Sequence, residues 1–367
     1  MTFREPNLSR AERATLNLRG LYEQYGYRKV RVSPFEEYGL YLQFERFLPG
    51  GRMLSFTDLD GRLMALKPDV TLSIARNERM ERGTEKAYYI ENVYRESLSS
   101  GTMTQIGQMG LEYFGGDGGY AQSEVLYLAC ETLNSIGPKA VTEVSHMGFI
   151  TGLFDALGLE GDAAGEVLAS LSARSPHGMA AAAEAAGVGA AGRNVLCELC
   201  TLSGAFEATM RRARDLCLNG RMTAALDELD QTIRAVGVSD ALRLDFTLQG
   251  DMEYYDGLMI AGYLDGVPRA VLSGGRYDGL MKKLGRDATA VGFALYLDEL
   301  ERLPRYRART DVDVLILAPA DAPAELLLGE VRRLTGEGLT VRVEREAPPA
   351  LRCGRTYRFE EGGLAEC

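Results

Sequence analysis

"KAYYIENVYRESLSSGTMTQIGQMGLEYFG", residues 86–115, is the stretch on which the fold turns. Residues 86–97 and 103–115 read as two long strands, and the small polar run "SLSSG" (97–101) joins them as a paired unit. Alternation along the second strand puts Gln108, Gly110 and Glu112 on one face. Gln, Gly and Glu are poor core material, so that face either meets solvent or lines a polar pocket. Taken alone, a solvated face is the simpler account. Arg95, at the end of the partner strand, is placed to reach an anion.

Upstream, Leu8, Ala11, Ala14, Leu18, Leu21, Tyr22 and Tyr25 recur at helical spacing. "YRKVRVSPF" (27–35) alternates like a strand and stops at Pro34. "GRMLSFTDLDGRLMALKP" (51–68) reads as a hairpin turning at Asp60-Gly61, and "DVTLSIARNERMER" (69–82) as a helix. Downstream, "AQSEVLYLACETLNSIG" (121–137) is a helix ended by Gly137, followed by a strand at "AVTEVSHMGF" (140–149). From about 150 to 240 the chain turns Ala-rich and strand signals vanish, which predicts a helical insertion. Strands resume over 243–249, 257–275 and 288–296. A basic linker, "RLPRYRART" (302–310), precedes strand, helix, strand and a last hairpin or strand in 311–367. Strands bunched in long antiparallel runs, without regular βαβ units, indicate an α+β fold. The expectation is a sheet of about six strands flanked by helices over 1–305, with the insertion at 150–240 and a small C-terminal α/β domain at 311–367.

The 367 residues allow one large and one small domain, and 46% hydrophobic residues support a substantial core. No run approaches the ~20 apolar residues of a membrane span. The N-terminus has no signal-peptide core, so the expected location is cytoplasmic, with no membrane partner. A net charge of −11, from 41 basic and 52 acidic side chains, argues against nucleic acid as the main partner. The six cysteines are scattered, and "CELC" (197–200) lies in a helical pattern. Neither His146 nor His177 has metal-ligand spacing, so no metal site and no cofactor are expected. Nor is there a glycine-rich phosphate loop. With two histidines, no nucleophile–histidine–acid arrangement can be defended, and no catalytic residue is assigned.

Two further stretches carry chemistry. In "LKPDVT" (66–71), Asp69 and Thr71 follow a proline at a helix start. Read alone they cap the helix; otherwise they form a corner for an ammonium group. "MEYYDG" (252–257) and "LSGGRYDG" (272–279) bring Gly274 and Gly275 beside Arg276, Tyr277 and Asp278. Glycines in a strand often mark close backbone approach to a ligand. Tyr277 and either Tyr254 or Tyr255 would supply phenolic hydroxyls.

In order and spacing, these stretches resemble histidyl-tRNA synthetase, a class II aminoacyl-tRNA synthetase, over roughly residues 5–305. "YGYRKVRVSPFEEY" matches its first motif, "LKPDVT" its Leu-Arg-Pro-Glu-x-Thr segment and "VYRES…GQMGLEYFG" its second motif. "EYY" and "LSGGRYDGLM" are similar to its histidine-specific segments. The resemblance implies a class II antiparallel sheet and a histidine pocket. Asp69, Thr71 and Gln108 would hold the α-amino group, Glu112 and Tyr255 would meet the imidazole, and Tyr277 would line the site. It also implies a dimer formed through the N-terminal helix and strand.

The departures fall on the contacts to the amino-acid carboxylate and the nucleotide. The segment aligned with Arg-Gly-Leu-Asp-Tyr-Tyr is "GDMEYY", which puts Gly250 in place of the carboxylate-binding arginine. The second-motif loop "SLSSGTMTQ" (97–105) has no arginine, and "YLDE" puts Glu299 where Gly-x-Glu-Arg ends. Of the nucleotide-binding arginines that align, Arg95 remains. Such a chain resembles the ATP phosphoribosyltransferase regulatory subunits. That likeness implies a non-catalytic partner of a short catalytic phosphoribosyltransferase chain in a hetero-oligomer, supporting its activity and its feedback inhibition by histidine. A divergent histidyl-tRNA synthetase and a free-standing histidine-binding sensor are the alternatives.

Overall fold

The computed structural model describes residues 8–44, 52–77, 83–97, 100–137, 139–237, 239–248, 254–303, 310–360 and 363–367. The chain divides into two compact units, Arg10–Leu303 and one built mainly from Pro304–Cys367.

The larger unit opens with α1 (Arg10–Gln24), which buries Ala14, Leu18 and Tyr22 at four-residue spacing. There follow β1 (Arg28–Lys29), β2 (Phe35–Glu37), α2 (Tyr38–Gln43), β3 (Ser55–Thr57), β4 (Leu63–Leu66) and α3 (Thr71–Asn77). The long pair is β5 (Thr84–Glu96) and β6 (Met103–Gly115), antiparallel from Thr84 opposite Gly115 to Glu96 opposite Met103. Helix α4 (Gly118–Ile136) is capped by Asp117, whose side chain accepts from the Gly119 N–H, and ends at Gly137. It buries Ala121, Val125, Leu128, Ala129 and Leu133 in the main core.

Next come β7 (Ala140–His146), α5 (Met147–Leu157), α6 (Gly161–Ser172), α7 (Pro176–Ala185), α8 (Ala190–Leu199), β8 (Ser203–Ala205), α9 (Phe206–Asp215) and α10 (Gly220–Val236). Then β9 (Leu242–Asp245), β10 (Leu258–Leu264), β11 (Leu272–Arg276), α11 (Asp278–Lys283), β12 (Ala290–Tyr296) and α12 (Leu297–Leu300) complete the unit. Nine strands form one sheet in the order β1-β5-β6-β12-β11-β10-β7-β9-β8. Its middle is antiparallel throughout; β1–β5 and β7–β9 are parallel. A separate three-stranded sheet runs β2-β4-β3 and contains the expected hairpin, with Gly61 at φ +80° in its turn.

Several expectations are corrected. The sheet has nine strands: β8, three residues long, is too short to leave a periodic signal, and β9 shortens the strand expected over 243–249 to Leu242–Asp245. The strand expected over 27–35 shrinks to β1. Past Val30 the backbone leaves the ladder: the Val32 N–H goes to the Glu91 side chain at 3.3 Å, and Pro34 has no N–H to give. The strand expected over 140–149 stops at His146, whose Nδ1 accepts the Gly148 N–H at 3.1 Å and so caps α5. Helix therefore begins at Met147, and the mainly helical stretch contains β8, which pairs with β9 at the sheet edge.

The smaller unit contains β13 (Val312–Leu317), α13 (Ala324–Gly336), β14 (Val341–Glu344), β15 (Cys353–Glu360) and β16 (Gly363–Glu366). The sheet order is β14-β13-β15-β16, with β13 parallel to both neighbours and β16 returning antiparallel to β15. The last segment is thus a hairpin. Val314, Ile316, Leu334 and Phe359 form its core. No helix among the described residues is long and apolar enough to cross a membrane.

Candidate functional site

Three adjacent strands build the floor of a cavity of about 220 Å³ in the larger unit. Register places Glu112, Gly292 and Gly275 in one row across β6, β12 and β11; Gly110, Ala294 and Ser273 make the next. Gln108 faces Tyr296 in a third row. The face that alternation marked on β6 is therefore inside: Gln108 is 2% and Glu112 1% exposed. What decides this is the cover. Asp69 and Thr71 arrive with the start of α3, Arg95 with β5, Tyr254 and Tyr255 before β10, and Tyr277 after β11.

The small floor residues are required sterically. A Cβ on Gly110 would lie 2.5 Å from the Tyr89 hydroxyl, and one on Gly275 would lie 2.8 Å from the Tyr255 ring. The close approach expected at the Gly274-Gly275 pair is thus made by neighbouring strands and Tyr255. A Cβ on Gly292 would collide with the Glu112 carboxylate and stand 2.5 Å from the Leu111 carbonyl oxygen. Gly292→Ala is expected to cost about 1–3 kcal/mol through overpacking, lowering the melting temperature by at least a few degrees. An unchanged thermal melt would contradict this packing.

Glu112 is the centre of the site. It accepts hydrogen bonds from the Thr71 hydroxyl at 2.6 Å and from the Tyr277 hydroxyl. Burial pushes its carboxyl up to about 8, and the charge of Asp69 adds to this, against the pull of the two hydroxyls. Asp69 does two jobs. Its Oδ1 accepts the Leu72 N–H at 2.8 Å, capping α3, while Oδ2 faces Arg95 at 3.6 Å. Burial raises its carboxyl, and Arg95 opposes the shift. Arg95 also donates to the Pro68 carbonyl at 2.7 Å. The cap and the ammonium corner are therefore compatible at one residue. Tyr254 packs on Tyr255 at 4.6 Å and on Tyr277 at 5.5 Å between ring centres, and all three line the cavity.

All seven candidate residues, Asp69, Thr71, Arg95, Gln108, Glu112, Tyr255 and Tyr277, line the same cavity. Sequence reasoning missed Tyr89, Ser273, Phe293, Ala294 and Tyr296. Alternation of Gly292, Ala294 and Tyr296 along β12 was the available signal for that strand. Arg276 is absent from the lining. Its guanidinium lies 2.9 Å from Glu228 and from Asp278. Glu299 lies beside Arg302 at 2.7 Å and does not line the cavity either; its neighbour Asp298 accepts the Gly107 N–H at 2.7 Å. Gly250, and Leu98 and Ser99 of the second-motif loop, lie outside the described residues.

The raised Glu112 carboxyl makes stability depend on pH. A carboxyl that titrates higher in the folded state binds more protons there, so its contribution is fully present below the unfolded value near 4.5 and is lost as pH rises through about 8. The wild-type melting temperature should fall across that window more steeply than that of Glu112→Gln, which keeps the shape without the titration. Parallel curves for the two proteins would rule this out.

The histidyl-tRNA synthetase family matches residues 2–300. An ATP phosphoribosyltransferase regulatory subunit of Symbiobacterium thermophilum is 30% identical over 352 residues, covering 90% of this chain and 86% of that one. A crystal structure described as an ATP phosphoribosyltransferase regulatory subunit/histidyl-tRNA synthetase, from Bacillus halodurans, superposes with a TM-score of 0.77 at 23% identity. It covers 93% of this chain and 91% of its own. Histidyl-tRNA synthetase from Nostoc shares the fold at a TM-score of 0.72 and 17% identity, over 95% of this chain and 88% of its own.

Proposed function

The chain belongs to the family of ATP phosphoribosyltransferase regulatory subunits, built on the histidyl-tRNA synthetase fold, and from that membership we propose that it is a non-catalytic subunit of that enzyme. It assembles with a short catalytic phosphoribosyltransferase chain and is needed for activity and histidine feedback at the first step of histidine biosynthesis. The observation that carries this reading is an asymmetry. The residues matching the synthetase's amino-group and imidazole contacts converge on one cavity, while by the resemblance the carboxylate arginine is replaced by Gly250 and nucleotide arginines are absent at Glu299 and in the loop 97–105. Asp69 and Gln108 present acceptors for an ammonium group, and Glu112 presents one for an imidazole N–H.

The test is assembly. The protein, mixed with a short-form catalytic chain, should co-elute as a hetero-oligomer whose phosphoribosyl transfer exceeds that of the catalytic chain alone and falls when histidine is added. Separate elution with no gain in activity would favour a free-standing histidine sensor. Alone, the subunit should scatter light as a dimer, twice the 40.1 kDa chain, through the region of α1 and β1. A monomer would remove that part of the proposal.

A further inference from the structure

We propose that Tyr296 is a specificity-determining end wall that restricts the cavity to a free amino acid and shuts out any ligand extended beyond the carboxyl carbon. This rests on the reading that the imidazole sits at Glu112 and the amine at Asp69 and Gln108. On β12 the cavity face runs Gly292, Ala294, Tyr296, two small residues followed by a large one. Gly292 lies in the row of Glu112, and Tyr296 in the row of Gln108, four residues further along. At about 3.4 Å per residue the two rows are roughly 14 Å apart, and the side chains at each end shorten that span.

The Tyr296 ring is also held in place. Its hydroxyl lies 2.7 Å from Oγ of Ser273, which is in the row of Ala294 on the neighbouring strand. From its backbone in the third row to a hydroxyl in the second, the phenol leans across the floor from β12 onto β11, on the side away from β6. Tyr89 and Tyr255 line the same cavity over Gly110 and Gly275, in the two rows nearer Glu112, which leaves Tyr296 as the ring in the third row. A cavity of about 220 Å³ falls below the roughly 300 Å³ at which pockets for larger ligands begin. A single amino acid fits; an acyl derivative carrying a further ring does not.

A bump-and-hole titration tests this, with L-histidine and L-histidine anilide as probes and calorimetry as the readout. The anilide adds a phenyl ring at the carboxyl carbon, matching the volume that Tyr296→Ala would vacate. The wild type should bind histidine and give no heat with the anilide. Tyr296→Ala should gain about tenfold or more for the anilide relative to histidine, and Tyr296→Phe, which keeps the ring, should still reject it. Tyr296→Leu serves if the alanine variant fails to fold, with a smaller gain expected. Wild-type binding of both probes, or no relative gain in either shortened variant, overturns the proposal while leaving the amino-acid pocket intact. Wild-type binding of neither probe overturns the pocket reading and this inference together.

Discussion

Glu112→Ala should weaken histidine binding by the isolated subunit about ten- to over a hundredfold, the loss of a charge-assisted hydrogen bond worth roughly 1.5–3 kcal/mol. The residue is 1% exposed and is engaged by Thr71 and Tyr277, so the ligand meets an acceptor already fixed in place. Because burial holds the Glu112 carboxyl near 8, binding a donor that favours the ionised form should release a proton at neutral pH. Calorimetry in two buffers of different ionisation heat would read both the weakening and the proton. The competing account places feedback histidine at the interface with the catalytic chain. No heat at millimolar histidine, with inhibition of the assembled complex unaffected by Glu112→Ala, would establish that account and leave this cavity an unused relic.

The second large effect is an absence. Supplied with histidine, ATP and magnesium, the protein should not exchange pyrophosphate into ATP above the rate without protein. By the resemblance to the synthetase's third motif, Glu299 falls where an arginine for the nucleotide would be expected. Unit charges about 4 Å apart attract by about 4 kcal/mol at an effective dielectric of 20, so a missing arginine forfeits a term of that order, while Glu299 is itself paired with Arg302. By the same resemblance the arginine-free loop 97–105 would supply no further cation, and Gly250 none for the carboxylate during adenylation. On this resemblance nucleotide affinity should fall at least about tenfold after screening. Steady exchange would instead identify a divergent histidyl-tRNA synthetase.

Local pattern made the long β5–β6 pair, the β3–β4 hairpin, α4 with its Asp117 cap and Gly137 end, and the two Tyr-bearing segments legible in sequence. Each of these elements depends on neighbours within a few residues: a period of two or of 3.6, a cap, a turn glycine. The seven site residues became legible through the resemblance, because taken singly each had a plainer explanation. The short strand β8 was not legible, and β1 and β9 are shorter than the strands expected over 27–35 and 243–249. A strand of two to four residues is stabilised by its partner across the sheet, and its own periodicity is too short to detect.

Alternation also established, from sequence alone, that Gln108, Gly110 and Glu112 share a face. Whether that face met water or a cavity was decided by tertiary structure. Its cover comes from Thr71, 41 residues before Glu112, and from Tyr277, 165 residues after it. The same holds for Arg276 and Tyr296. "SGGRYDG" and "VGFALY" show a cation and a phenol near glycines. Only the packing of α10 turned Arg276 away to Glu228, and only the register of β12 against β11 laid Tyr296 across the floor towards Ser273. A side chain's direction follows from its own strand, but its environment follows from elements that the fold brings to it from far along the chain.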